Sequence, residues 1–358
     1  MSQSRTQNRA SGADITIGAR SYGGPGGKAL VIAEIAQAHD GSLGTAHAYI
    51  DAVADAGGDA IKFQMHIAEA ELTREEPWRT KFSRQDATRY DYWRRMEFTH
   101  EQWQGLADHA HERGLLFVVS PFSRQAVERM VAIGTDVLKI ASGDAFALDA
   151  LVPPGVSLPV ILSTGMSAWS EIEASVAAVQ DRGLSFGLLQ CTTQYPTPLD
   201  LVGLNVVDEM ARRFSCPVGL SDHSGTPFPA LAALARGHGL IEVHVTFHRG
   251  MFGPDVSSSL TLEEFAHVCA ARNAFAAMDA APVDKDAMAQ RLGDLRGIFS
   301  KSVGVSRPLA AGTVLDREVL TLKKPGTGIP AAELERFVGR RLVRDVDPGN
   351  LLKRSDVE

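Results

Sequence analysis

Two histidines close short apolar runs. His223 follows Gly219-Leu220-Ser221-Asp222, and His244 comes 21 residues later in Glu242-Val243-His244-Val245-Thr246. A small-residue helix over 227–236 fits between them. Read as strand, helix and strand, this spacing delivers both imidazoles to the carboxyl ends of neighbouring parallel strands. Two neutral imidazoles converging there can hold a divalent metal and leave positions for water and substrate. One such histidine alone reads as a hydrogen-bonded core residue; the matched pair favours a metal.

Other polar groups fall at equivalent places. Glu34, Lys62, Ser120 and Lys139 each end an apolar run, and Ser142 and Asp144 follow Lys139 closely. Ser163-Thr164, Thr193 with Tyr195, and Ser221 continue the series. Two lysines and several hydroxyls at one rim suit a phosphate or carboxylate ligand. Either lysine alone can instead be a strand-end ion pair, and Lys139 or Lys62 can be the Schiff-base amine of a metal-free aldolase. His39, His66, His238 and His248 have weaker claims: His238 reads as an exposed helix-end residue and His248 as a loop residue. The run from Gly23 to Lys28 looks like a phosphate loop but precedes a strand instead of opening a helix, so it reads as a turn.

These residues need a scaffold that brings strand ends together. A helical segment ending at glycine and followed by an apolar, β-rich run recurs along the chain. Eight strands are predicted, near residues 30–33, 60–63, 116–119, 137–140, 160–162, 186–189, 218–220 and 241–243. With helices between them, they imply an α/β fold, a (β/α)8 TIM barrel, with a doubly wound open sheet as the alternative. A charged and aromatic insertion (Trp78, Tyr90, Tyr92, Trp93) follows the second strand and suits a lid or substrate wall. The domain reading is a disordered tail over 1–14, the barrel over 15–285, a linker helix over 286–299 and a compact β-rich domain over 300–358.

Composition narrows the class. The chain has 358 residues, 44% hydrophobic and 22% charged, with a net charge of −7. That balance disfavours nucleic acid as the partner. No run is long and apolar enough for a membrane span, and the amino-terminal residues lack the apolar core of a signal peptide. Cys191, Cys216 and Cys269 form no CxxC pair, so a reduced, cytoplasmic setting is expected.

Taken in order, the motifs resemble the bacterial sialic acid synthase (N-acetylneuraminate synthase) family, a barrel with a C-terminal antifreeze-like (SAF) domain. The resemblance is carried by Ala33-Glu34-Ile35, His39-Asp40-Gly41, Ile61-Lys62-Phe63-Gln64 and Ser120-Pro121-Phe122. It continues through Lys139 to Asp144, Leu162 to Met166, Cys191-Thr192-Thr193 with Tyr195-Pro196-Thr197-Pro198, and Ser221-Asp222-His223. Gly253-Pro254-Asp255 and Lys324 to Ile329 complete it. It implies condensation of phosphoenolpyruvate with an open-chain aldose to a 3-deoxy-2-keto sugar acid and phosphate. Mn2+ or Mg2+ on His223 and His244 is implied as Lewis acid.

Phosphoenolpyruvate contacts are implied at Lys62, Ser120, Lys139, Ser142, Ser163 or Thr164, Thr193 and Ser221. Sugar contacts are implied at Glu34 and Asp255, with Tyr195 and Lys324 beside them, and an acidic group near the metal at Asp144. A homodimer is implied, each small domain capping the partner's barrel. The departures from the family pattern are Ala38, Val243, Val256 and Lys324, which point to an acceptor other than plain N-acetylmannosamine. A synthase acting on a phosphorylated aldose and a non-enzymatic sugar-binding protein are the other readings.

Overall fold

The computed structural model describes residues 14–23, 27–78 and 81–358. The expected tail (1–14, apart from Asp14) and Gly24 to Gly26 of the expected turn lie outside the described residues. The chain divides into two compact units between Ala280 and Ala281.

The first unit is a closed parallel barrel. Its strands are β3 (Leu30–Ala36), β4 (Ala60–Met65), β5 (Leu116–Pro121), β6 (Val137–Ile140), β7 (Val160–Ser163), β8 (Phe186–Cys191), β9 (Val218–Asp222) and β10 (Leu240–Thr246). Each pairs in parallel with the next, and β10 pairs with both β9 and β3, which closes the ring. The eight predicted strands are therefore all present, and closure excludes the open sheet. A hairpin of β1 (Ile15–Ile17) and β2 (Arg20–Tyr22) precedes the ring.

Strand parity sorts the core, because successive side chains point to opposite faces. Val31, Ala33, Ile61, Phe63, Phe117, Val119, Ile241 and Val243 pack with helix residues such as Tyr49, Trp103 and Phe265 in one large cluster. Ile32, Ala60, Val118, Val137, Ile161, Leu189 and Leu240 form a separate cluster with Ile15, Ile17 and Tyr22 of the hairpin. This second set is the barrel's inner floor, and the amino-terminal hairpin packs onto it. Two residues further along each inner row the chemistry changes: Glu34, Lys62, Ser120, Lys139, Ser163, Cys191 and Glu242 follow the floor residues, and Ser221 follows Gly219. An apolar floor thus supports a polar layer at the carboxyl-terminal end, where barrels of this kind place their sites. Gly219 lets β9 and β10 approach closely: a Cβ there would collide with the Leu240 carbonyl.

The insertion after β4 is ordered over its described residues by helix Arg89–Met96, started by a Thr88–Asp91 capping box. Arg95 ties this helix to the rest of its unit. Its Nε and Nη2 donate to Asp86 at 3.0 and 2.8 Å, and its Nη1 donates to Asp40 Oδ1 at 2.8 Å.

The second unit has its own core of Val303, Val305, Leu315, Leu320, Ile329, Phe337 and Leu342 around an antiparallel pair, β12 (Ser302–Val305) and β13 (Leu320–Lys323). (A two-residue β11, Leu260–Thr261, extends the barrel sheet beside β10.) Two short helices, Lys285–Arg291 and Gly293–Phe299, stand where a single linker helix was expected. Leu292 separates them, and Gly293 and Gly297 weaken a continuous helix there.

Candidate active site

Glu242 stands at the centre of the polar layer. Its Oε1 lies 3.6 Å from Lys62 Nζ and 3.7 Å from Lys139 Nζ, and accepts from Ser221 Oγ at 3.1 Å. Lys62 is also ion-paired to Glu34 and donates to Ser120 Oγ at 3.1 Å, while Lys139 donates to Ser163 Oγ at 2.7 Å. The four charged side chains are buried, so burial opposes every charge. For Lys62, Glu242 and Glu34 outweigh that cost and raise the amine above lysine's ordinary value. For Lys139 burial dominates over Glu242, and the Lys62 charge adds to it, so the amine is lowered. Glu242 itself is held below the carboxylate range, because Lys139 and Lys62 overcome its burial.

Ser142 and Thr193 complete a hydroxyl cradle. A Cβ built at Gly165 would lie 2.8 Å from Ser142 Oγ and 2.5 Å from Thr193 Oγ1, so both hydroxyls converge on the space a side chain would fill. Thr164 differs: its hydroxyl is spent on the Leu189 carbonyl at 3.2 Å.

Above the lysines, the imidazoles of His223 and His244 lie 5.1 Å apart between centroids, and the Tyr195 ring lies 4.1 Å from His223, tilted by 40°. Burial, then the neighbouring His244, lower His223 to about 3, so it is neutral at physiological pH. Its Nδ1 lies 3.2 Å from the Thr192 carbonyl, which assigns the proton to Nδ1 and leaves the Nε2 lone pair for a ligand. Asp255 Oδ2 is 4.0 Å from His244 Nδ1. The donor set fits an open divalent site in part: two imidazoles converge, but among the described residues no group of three His, Cys, Asp or Glu side chains can enclose an ion. Any ion held here takes its remaining ligands from substrate and water.

Beside the imidazoles opens a cleft of about 650 Å³, lined by Gln37, Gln64, Tyr195, His244 and Asp255 on the barrel side and by Trp78, Phe82, Tyr92 and Trp93 from the insertion. The insertion thus supplies a wall, with Trp78 and Phe82 edge to face at 5.5 Å and Phe82 and Tyr92 at 5.0 Å.

Other predicted residues have surroundings of their own. The charges acting on Asp144 are Glu71 and His66, which oppose each other, while burial raises its carboxyl. Lys324 belongs to the second unit, with its Nζ 5.3 Å from the Phe299 ring. Val243 belongs to the outer cluster against the helices, so its departure from the family pattern does not face the site. His238 is buried, contrary to expectation, because Asp208 meets its Nε2 at 3.0 Å. Sequence reasoning missed Glu242, quoted Gln64 only within a motif and gave His66 a weak claim. The signal for Glu242 was its position two residues before His244, which places both on the inner face.

Fold and site together define a TIM-barrel protein whose rim combines two buried lysines with paired imidazoles. The chain belongs to the NeuB family, whose model matches residues 49–281, and it carries a SAF domain at 300–358. It is 28% identical to the N,N'-diacetyllegionaminic acid synthase of Campylobacter jejuni over 91% of this chain and 99% of that one. It is 28% identical to the N-acetylneuraminate-9-phosphate synthase of Mus musculus, covering 93% and 94% of the two chains. The crystal structure of N-acetylneuraminic acid synthetase from Leptospira borgpetersenii, in complex with citrate, superposes with a TM-score of 0.66 at 28% identity, covering 80% of this chain and 96% of that one.

Proposed function

We propose that this protein condenses phosphoenolpyruvate with an open-chain aldose to give a sialic-acid-like 3-deoxy-2-keto sugar acid and phosphate. The observation that carries this reading is the pair of buried lysines converging on Glu242 beneath two paired imidazoles. It agrees with the relatives, which are named as synthases of such acids.

The residues divide the work. Lys62 and Lys139, with the hydroxyls of Ser120, Ser142, Ser163 and Thr193, bind the phosphate and carboxylate of phosphoenolpyruvate. His223 and His244 would hold a divalent ion, and imidazole donors favour Mn2+ over the harder Mg2+. When bound, that ion supplies Lewis-acid polarisation of the aldehyde. The new bond joins C3 of phosphoenolpyruvate to the aldehyde carbon, water adds at C2, and phosphate leaves. One proton of that water ends on the sugar oxygen and the other on phosphate. Glu34 and Glu242 are the carboxylates placed to orient the water or accept its proton.

The aromatic wall and Asp255 receive the sugar. Trp93 Nε1 is buried with no hydrogen-bond partner among the described residues, a donor suited to an acyl carbonyl. The acceptor in this reading is an acylated hexose other than plain N-acetylmannosamine, such as a 2,4-diacetamido sugar. The working form is a homodimer in which each small domain, with Lys324, caps the partner's barrel, in the cytoplasm. The test is phosphate release from phosphoenolpyruvate and Mn2+ across a panel of aldoses. Turnover with a diacetamido hexose supports the reading; a clear preference for N-acetylmannosamine overturns the acceptor, and no turnover with any sugar overturns the activity.

A further inference from the structure

Behind the acceptor cleft lies a buried histidine–carboxylate pair with no part in the chemistry above. His66 is 6% exposed and its ring is held between Trp93, 3.7 Å away between centroids, and Phe122 at 4.3 Å with planes only 9° apart. Its Nδ1 lies 2.7 Å from Glu71 Oε1, and its Nε2 lies 3.2 Å from Gln64 Oε1. The direction of this chain is fixed at its far end. Gln64 Nε2 donates to Glu34 Oε1 at 3.0 Å, and that carboxylate can only accept. Gln64 Oε1 must therefore face donors, and it does: Gln37 Nε2 donates to it at 3.0 Å. His66 is thus held at both ring nitrogens, by Glu71 on one side and Gln64 on the other, while the two aromatic faces fix the plane of its ring.

Gln64 and Trp93 both line the cleft. We propose that His66, anchored by Glu71, is a positioning residue for the acceptor half of the site: it fixes the amide of Gln64, and through it Glu34, while backing the indole of Trp93. This rests on the sugar acceptor occupying that cleft, as proposed above. The chain meets the phosphoenolpyruvate side through the ion pair of Glu34 with Lys62, so the acceptor is the substrate it positions most directly.

Two measurements on the full-length protein test this. In protein labelled with 15N at histidine, the imidazole signals lost in His66→Asn should both move in Glu71→Gln, as a ring held at each nitrogen requires. In steady-state kinetics, Glu71→Gln, which keeps the size and the acceptor at Nδ1, should raise the acceptor KM about tenfold, the worth of one buried hydrogen bond to a charged group, and change the phosphoenolpyruvate KM by only about twofold. Unmoved imidazole signals in Glu71→Gln, or equal changes in both KM values, overturn the proposal. If the wild type turns over no aldose, the proposed reaction fails while the NMR measurement still decides whether Glu71 anchors His66.

Discussion

Glu242 Oε1 sits almost equidistant from two ammonium groups, 3.6 Å from Lys62 and 3.7 Å from Lys139. One carboxylate oxygen therefore neutralises two buried cations, with Glu34 completing the balance at Lys62. The cluster is closed on itself, and in the proposed reaction the anionic substrate competes with Glu242 for the same two lysines.

That competition predicts the behaviour of Glu242→Gln. Removing one member of a buried charge network costs about 3–5 kcal/mol, so the ligand-free protein should melt at a markedly lower temperature. Phosphoenolpyruvate then replaces the lost charge, and its stabilising shift should exceed that of the wild type. Turnover should fall by about 100-fold or more, the usual contribution of a positioned acid or base. A variant with wild-type melting and a wild-type ligand shift would show that the two lysines do not depend on Glu242.

The paired imidazoles predict a metal requirement. Chelation with EDTA should abolish phosphate release, and Mn2+ should restore it more fully than Mg2+. His223→Ala and His244→Ala should each lose tight Mn2+ binding, measured by the loss of the free-ion EPR signal, and should lose at least about 100-fold in turnover. Full activity in EDTA-treated protein would remove the ion from the reading.

The ring was legible in the sequence because every inner row ends in a polar group. Lys62, Lys139, His223 and His244 interrupt apolar runs, and an interruption at a strand end is visible without coordinates. Glu242 was hidden because its strand was read as apolar on both faces. Parity counted back from His244 puts Glu242 inside and Val243 outside, and the same count exposes Val243 as a core residue. His66 was illegible for another reason. Its importance comes from Trp93 and Phe122, which lie 27 and 56 residues away and meet it only in the folded chain. Asp144 was read from its nearness in sequence to Lys139, whereas the charges acting on it come from Glu71 and His66.

Lys139 supports a sharper distinction between reaction types. Its amine is lowered by burial, which is also how Schiff-base lysines are made reactive. Yet it is engaged by Ser163 and faces Glu242, as an anion-binding ammonium would be. Borohydride treatment with pyruvate should leave the intact mass unchanged. A mass increase mapped to Lys139 would instead establish an aldolase. Lys139→Arg should weaken phosphoenolpyruvate binding by about tenfold or more, because a planar guanidinium cannot occupy the point-charge position between Ser163 and Glu242.

His39 sets how the barrel responds to acid. It is 1% exposed, and its Nδ1 accepts from the Gly41 N–H at 3.0 Å, a bond that only an unprotonated Nδ1 can make. Burial, reinforced by the charges of His66 and Arg95, lowers it from 6.5 to about 3. A histidine depressed in the fold stays neutral there while the unfolded chain takes up a proton. Its contribution is therefore complete above the unfolded value and is lost as pH falls from 6.5 toward 3. By pH 5 the gap amounts to about 2 kcal/mol, at 1.36 kcal/mol per pH unit. His39→Asn retains an acceptor for the Gly41 N–H but does not titrate. Urea unfolding of both proteins at pH 7 and pH 5 isolates this share, since other groups contribute equally to each. The wild type should lose about 2 kcal/mol more than the variant between those values. An equal loss in both proteins would mean that His39 is already protonated in the fold, with the Gly41 bond broken.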